Sequence, residues 1–259
     1  MYFWNQQIYK QLRYFLELAY NGQNYFGWQR QPKQLSVQEK IEFCLSTLLR
    51  EEINIVGAGR TDTGVHAKKM YAHFDFDGSL TDDFIRRLNS FLPEDISVTS
   101  IHCVAPEAHA RFDAVKRTYH YHIYTQKNPF TTTTSWQIRK PLDIEKMNEA
   151  AKYLIKKADF GSFAKLHTDV KTNICTVYRA EWIQIEKDFF CFEITADRFL
   201  RNMVRAIVGT LVEVGLGKIT PSDFNNIIDK KDRKFAAASA PPQGLFLVEV
   251  LYPENLFIL

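Results

Sequence analysis

Cys175–Asp197, CTVYRAEWIQIEKDFFCFEITAD, followed at once by Arg198–Gly215, RFLRNMVRAIVGTLVEVG, decide the fold class. The first stretch is rich in β-branched and aromatic residues and has a run of three charged residues at Glu186–Asp188, so it reads as an antiparallel hairpin turning there. The second is predicted as one long helix beginning near Asp197 and stopped by Gly215 and Gly217. Outward toward the C terminus, Pro221 opens a short helix and GLFLVEVLYP closes the chain as a strand. Outward toward the N terminus, RTYHYHIY is a strand, and LDIEKMNEAAKYLIKK is a helix with Asp143 as its cap. The first half has the same rhythm. RYFLELAY is a strand with Tyr14, Leu16, Leu18 and Tyr20 on one face. Ser36 opens a helix, Glu39 completes a capping box, and Val37, Ile41, Leu45 and Leu48 form the apolar stripe. INIVGAG and KMYAHFDF are further strands, and a helix runs from Thr81 to about Phe91. Strands and helices interleave with hairpin signals in both halves, which predicts an α+β fold: two comparable lobes sharing a sheet, with helices packed on one side. No linker separates the lobes. Residues 1–12 read as a leader, 13–117 as the first half and 118–259 as the second.

The 259 residues are 46% apolar, ample for a large core. Thirty-three basic against 30 acidic side chains leave a formal charge of only +3, which neither demands nor forbids a polyanionic partner, so charge placement has to decide. The four cysteines are scattered without C-x-x-C spacing and read as reduced thiols rather than a disulfide frame or zinc knuckle. The opening residues lack the basic and apolar blocks of a signal peptide, and no apolar run approaches the ~20 residues that span a bilayer. A cytoplasmic protein without membrane attachment is expected.

Three clusters could carry chemistry. In GAGRTDTGVHA (Gly57–Ala67) small residues let the backbone turn sharply after a strand, and the turn carries Arg60, Asp62, Thr63 and His66. If the stretch is extended, Arg60 and Asp62 share a face, and a guanidinium beside a carboxylate favours the ionised form a nucleophile needs. For a lone Asp-Thr-Gly, an ordinary capping aspartate is the preferred reading. In HARFDAVKRTYHY (His109–Tyr121), Arg111, Lys116 and Arg117 alternate with Phe112, Tyr119 and Tyr121, the mixture that suits RNA phosphates and unstacked bases. A strand with a buried aromatic face and a solvated histidine face explains the segment as well. The pair His120/His122 has no cysteine or carboxylate at metal-site spacing nearby and is set aside as a metal site. In the third cluster, Arg198, Arg201 and Arg205 fall within an arc of roughly 60° if the segment is helical. Few acidic partners stand near them, so an anion-facing surface and a solvated helix face are balanced readings.

The order of these clusters resembles the TruA-type tRNA pseudouridine synthase family. The matching stretches are YNGQNYFGWQRQ, SVQEKIE, GAGRTDTGVHA, RLNSFLPEDI, HARFDAVKRTYHY, RFLRNMVRAIVGTLVEVGLG and APPQGLFLVEVLY, together spanning about Arg13 to Pro253. The resemblance implies an isomerase that converts uridine to pseudouridine at positions 38 to 40 of the tRNA anticodon arm, working as a homodimer without cofactor or metal. It implies two ferredoxin-like halves around a mainly antiparallel sheet, with the active cleft between them. It also implies that Asp62 is the nucleophile, that Arg60 replaces the flipped base, that Tyr119 packs on the target uracil and that Arg205 pairs with the nucleophile. Arg111, with Phe112, His109, Arg198, Arg201 and Lys171, is expected on the RNA-contacting surface. Two rival classes stand beside this reading: a non-catalytic RNA-binding or tRNA-chaperone protein, and a nucleoside hydrolase that would release free uracil.

Overall fold

The computed structural model describes residues 12–165 and 171–258. The expected leader lies outside them except for Leu12, the first residue of strand β1. The first half runs β1 (Leu12–Tyr20), α1 (Val37–Leu49), β2 (Val56–Gly57), β3 (His66–Phe76), α2 (Phe84–Phe91) and β4 (Ile96–Val104). The second runs β5 (Lys116–Tyr124), β6 (Trp136–Gln137), α3 (Ile144–Lys152), β7 (Lys157–Asp159), β8 (Ile174–Glu186), β9 (Phe189–Ala196), α4 (Met203–Gly215), α5 (Pro221–Lys230) and β10 (Leu245–Leu251). The strands make one sheet in the order β4-β1-β3-β10-β5-β9-β8-β7, with β2 also on β3 and β6 also on β5. Taken by halves, β4-β1-β3-β2 and β10-β5-β9-β8 are both ferredoxin-like βαββαβ orders. The fold is therefore the expected α+β, and all its long ladders are antiparallel. The parallel pairings are short: β6 runs parallel to β5, and at the seam Phe246 and Leu247 of β10 pair parallel with His66 and Ala67 of β3.

Each half has its own core. Leu16 and Leu18 of β1 pack with Val37, Ile41 and Leu45 of α1, the stripe read from the sequence, and all five are fully buried. Burying one such side chain contributes roughly 1.5–3 kcal/mol, so this stripe alone outweighs any cap. Phe15, on the other face of β1, meets Tyr252 and Phe257 edge-on. In the second half, Phe192 and Ile194 of β9 lie under Met147 of α3 and Ile207 and Leu211 of α4.

The caps expected at Ser36 and Asp143 form, but the Glu39 side chain does not return the bond that would complete a capping box. Ser36 accepts from the Glu39 N–H at 3.2 Å, and Asp143 from that of Lys146 at 3.0 Å. Thr220 and Asp223 form a reciprocal capping box before α5. Helix α2 starts at Phe84 rather than Thr81, and three further elements differ more from expectation. INIVGAG shrinks to a two-residue strand because side chains of α1 take its backbone groups: Ser46 Oγ accepts from the Ile53 N–H and Glu42 Oε1 from that of Ile55. Helix α3 ends at Lys152, since residues 157–159 pair with β8 instead. The long arginine helix begins only at Met203. Asp197 Oδ1 accepts from the N–H groups of Thr176 (2.8 Å) and Arg198 (2.7 Å), and Asn202 adopts a left-handed φ of 66°. Side-chain capture of backbone donors thus outcompetes helix over 198–202.

Candidate active site

The loop carrying Asp62 is set on a bed of backbone. Gly27, at φ 88°, lies where a Cβ would come within 2.3 Å of the Thr61 carbonyl oxygen, so the 22–28 loop can pass this close only with glycine there. Trp28 N–H donates to Thr61 O, Gly64 N–H donates to Tyr25 O, and the hydroxyls of Tyr20 and Thr61 meet at 2.9 Å. The aromatic- and glycine-rich YNGQNYFGW stretch is therefore a cradle for the loop. His66, read as part of the turn's chemistry, faces away from it. Its Nδ1 accepts from Gly22 N–H at 3.1 Å, its Nε2 lies 3.2 Å from the carbonyls of Thr133 and Gln243, and its ring stacks on Phe246. Burial lowers its pKa, so a neutral ring clamps three segments at the seam.

The Asp62 carboxylate, whose side chain is 27% exposed, points across the seam to the second half. Arg205, on the first turn of α4, donates from Nη1 to Asp62 Oδ2 at 3.1 Å. Arg201 Nε stands 4.0 Å from Oδ1. The two pairs are unequal. Arg205 is half-buried and hydrogen-bonded, the geometry in which a guanidinium–carboxylate pair is strong. Arg201 is more exposed, and pairs of that kind contribute about 0–1 kcal/mol. The loss of helix over 198–202 therefore leaves the convergence of two arginines intact but not of the third. Arg198 Nη1 donates to Thr172 O at 3.2 Å, away from the carboxylate. Arg60 is exposed and, among the described residues, has no hydrogen bond or ion pair. The guanidinium beside Asp62 thus comes from Arg205 rather than from its sequence neighbour.

Tyr119, on β5, packs edge-on against Phe199 with ring centroids 5.1 Å apart. Burial pushes its phenol up to about 12, with the charge of nearby Asp62 adding and that of Arg117 opposing. It is a protonated ring at neutral pH, fit to stack and to donate. The adjoining loop shows a built surface. His109 Nδ1 accepts from the N–H groups of Arg111 and Phe112, and Asp113 Oδ2 accepts from that of His109. This holds Phe112 out at 72% exposure, with the Arg111 guanidinium 5.6 Å from its ring centre and the His109 ring beneath. Lys171 is also exposed.

Arg117 departs from expectation. Read as a phosphate-facing cation, it is half-buried and committed to backbone: it donates to Ala114 O, Asp197 O, Ala58 O and Arg111 O, the last two through the same Nη2 at 3.0 and 2.7 Å. One guanidinium thereby ties the Asp62 loop to the Phe112 loop. Nothing in the local sequence distinguishes such an arginine from a surface one, because two of its four acceptors, Ala58 O and Asp197 O, come from distant segments.

His120, His122 and Cys191 bring donor atoms within 4.8 Å of one another on the opposite face of β5. The sequence spacing concealed the thiol, which the register places directly across from His122. Burial pushes the Cys191 thiol up to about 12, and Lys68 and Arg179 stand close by. His120 Nε2 already meets Glu193 Oε2 at 3.2 Å, and the flanking cations disfavour a further positive charge, so no metal is assigned to the group.

The family model described as "tRNA pseudouridine synthase" matches residues 18–113 and 150–253. A tRNA pseudouridine synthase A of Bacteroides fragilis is 54% identical over 95% of this chain and 98% of its own. That of Porphyromonas gingivalis is 50% identical over 95% of this chain and 99% of its own. The chain belongs to the tRNA pseudouridine synthase family. A solved Cbf5-Nop10-Gar1 complex aligns over 90% of the chain and 57% of its own at 13% identity, with a TM-score of 0.36, a likeness that decides nothing here. This tRNA pseudouridine synthase is thus an enzyme that isomerises uridine in tRNA. Non-catalytic chaperone and nucleoside hydrolase fall away as readings.

Proposed function

We propose that this synthase acts on the tRNA anticodon arm at positions 38 to 40, as a cytoplasmic homodimer, with Asp62 as its nucleophile. The observation that carries the reading is the Asp62 carboxylate, open to solvent at the seam of the two halves and held by Arg205 at 3.1 Å. Isomerisation breaks the bond from C1′ to N1 and forms one from C1′ to C5; the proton lost at C5 is balanced by one gained at N1. No atoms enter or leave, so the reaction needs neither redox cofactor nor energy donor.

The reacting atoms are out of reach inside a stem, so the uridine must leave the stack. Arg60, projecting free beside the nucleophile loop, takes the space the base vacates. Tyr119 supplies a face for the extruded uracil and, still protonated, a hydrogen-bond donor. Arg205 orients the carboxylate toward the ribose or the ring, and the closed cleft that the resemblance implies would retain the detached uracil as it turns. Arg111 with Phe112, Arg201 and Lys171 contact the RNA; Arg198 and His109 support that surface from behind.

The decisive experiment incubates unmodified tRNA with wild type and with Asp62→Asn, then maps pseudouridine. Asp62→Asn is expected to bind tRNA as well as wild type and to make no product. Turnover at the wild-type rate would remove Asp62 from the reaction. Sedimentation at working concentration tests the dimer, which a purely monomeric species would contradict.

A further inference from the structure

Arg205 does not reach Asp62 unaided. Residues 236–240, AAASA, run back along the first two turns of α4 and are fastened to it at several points. Ala240 N–H donates to Arg205 O at 2.9 Å, and Ala240 O accepts from Arg205 Nε at 2.8 Å. Ala237 N–H donates to Thr210 Oγ1 at 3.1 Å, while that hydroxyl donates to Ala206 O at 2.8 Å. Ser239 Oγ is shared by Asn202 Nδ2 at 2.6 Å and Arg233 Nη2 at 3.1 Å.

Gly209 makes this approach possible. It lies one turn beyond Arg205 on the same helix face. A Cβ on Gly209 would stand 2.0 Å from the Ala238 carbonyl oxygen and 3.2 Å from Ala240 N. Those are backbone atoms that cannot swing aside, so any side chain at 209 must lift the strap. The strap in turn fixes the plane of the Arg205 guanidinium: with Nε held by Ala240 O, Nη1 is aimed at Asp62. A free arginine would spread over many rotamers and lose much of that pre-organisation.

We propose that Gly209 and the 236–240 strap are positioning elements of catalysis, acting through Arg205 on Asp62. The inference rests on the reading of Asp62 and Arg205 given above. None of these residues touches the substrate; their part is to keep one guanidinium in one orientation.

The test is a double-mutant cycle in the full chain, with tRNA transcript as substrate and single-turnover rate and tRNA affinity measured separately. Gly209→Ala is expected to slow the chemical step roughly tenfold to a hundredfold, the range for loss of one hydrogen bond to a charged group, with tRNA affinity within about twofold. Placed on Arg205→Lys, it should cost nothing further, because the group it positions is already gone. Multiplicative losses in the double variant, or parallel losses of rate and affinity, would overturn the proposal. Should Gly209→Ala fold poorly, Thr210→Val, which keeps the shape and removes the acceptor of Ala237 N–H, stands in with the same expected epistasis. A wild-type rate in Arg205→Lys would sink the reading of the site itself. A crippled Arg205→Lys beside fully active, well-folded Gly209→Ala and Thr210→Val would sink the strap alone.

Discussion

At the residue scale, Arg205 and Arg201 stand in unequal geometry to one carboxylate. Arg205 is hydrogen-bonded to Asp62 and half-buried, whereas Arg201 reaches the same carboxylate only at 4.0 Å and is largely exposed. Arg205→Lys is expected to lower the single-turnover rate by at least about a hundredfold, since an ammonium cannot hold Ala240 O and Asp62 in one plane. Arg201→Ala is expected to change that rate by less than about fivefold while weakening tRNA binding. Its mark would be a salt dependence shallower by about 0.7–0.9 in the log–log slope, the share that a single neutralised phosphate contributes. A rate loss in Arg201→Ala equal to that in Arg205→Lys would show the two arginines sharing one task. Sequence made Asp62 and Arg205 candidates. Their pairing was invisible to spacing, because 143 residues separate them.

At the element scale, the site is a meeting of three loops, and the groups that join them are the fragile points. Gly27 lets one loop lie against the Asp62 loop, and Arg117 binds the Asp62 loop to the Phe112 loop. Gly27→Ala combines a backbone clash with a strained φ, so it is expected to lower both stability and product yield, with the thermal midpoint and pseudouridine formation measured together. Arg117→Lys leaves buried carbonyls short of donors and is expected to destabilise the protein by roughly 2 kcal/mol in urea titration. A variant as stable as wild type would mean those carbonyls find other partners. The glycine- and aromatic-rich composition marked the 20–28 stretch as a loop. That it cradles the Asp62 loop follows only from Thr61 O lying under Gly27.

At the scale of the whole molecule, the buried His73 and half-buried His122 set the response to acid. His73 and His122 are lowered to about 4, chiefly by burial, against about 6.5 in an unfolded chain. Between those values the unfolded state binds protons that the folded state refuses, so stability falls as pH drops from about 6.5 toward 4 and is fully present above that window. The melting temperature is expected to decline by several degrees across it, and His122→Gln to flatten the slope. An unchanged slope in that variant would mean His122 takes its proton without loss of structure. The parallel pairing of β3 with β10 gives the molecule its other global property: it joins two ferredoxin-like units edge to edge and sets Asp62 opposite α4.

The alternation of apolar residues, the caps at Ser36, Asp143 and Thr220 and the hairpin at Glu186–Asp188 are local signals, and local physics was enough to determine them. The tertiary structure decided what depends on atoms brought together from afar. It delayed the start of the arginine helix to Met203 through Asp197, left Arg60 exposed while delivering Arg205 to Asp62, turned Arg117 inward and placed Cys191 across from His122. Side-chain period is written in neighbouring residues, whereas a hydrogen bond's partner is chosen by whichever chain segment the fold delivers to it.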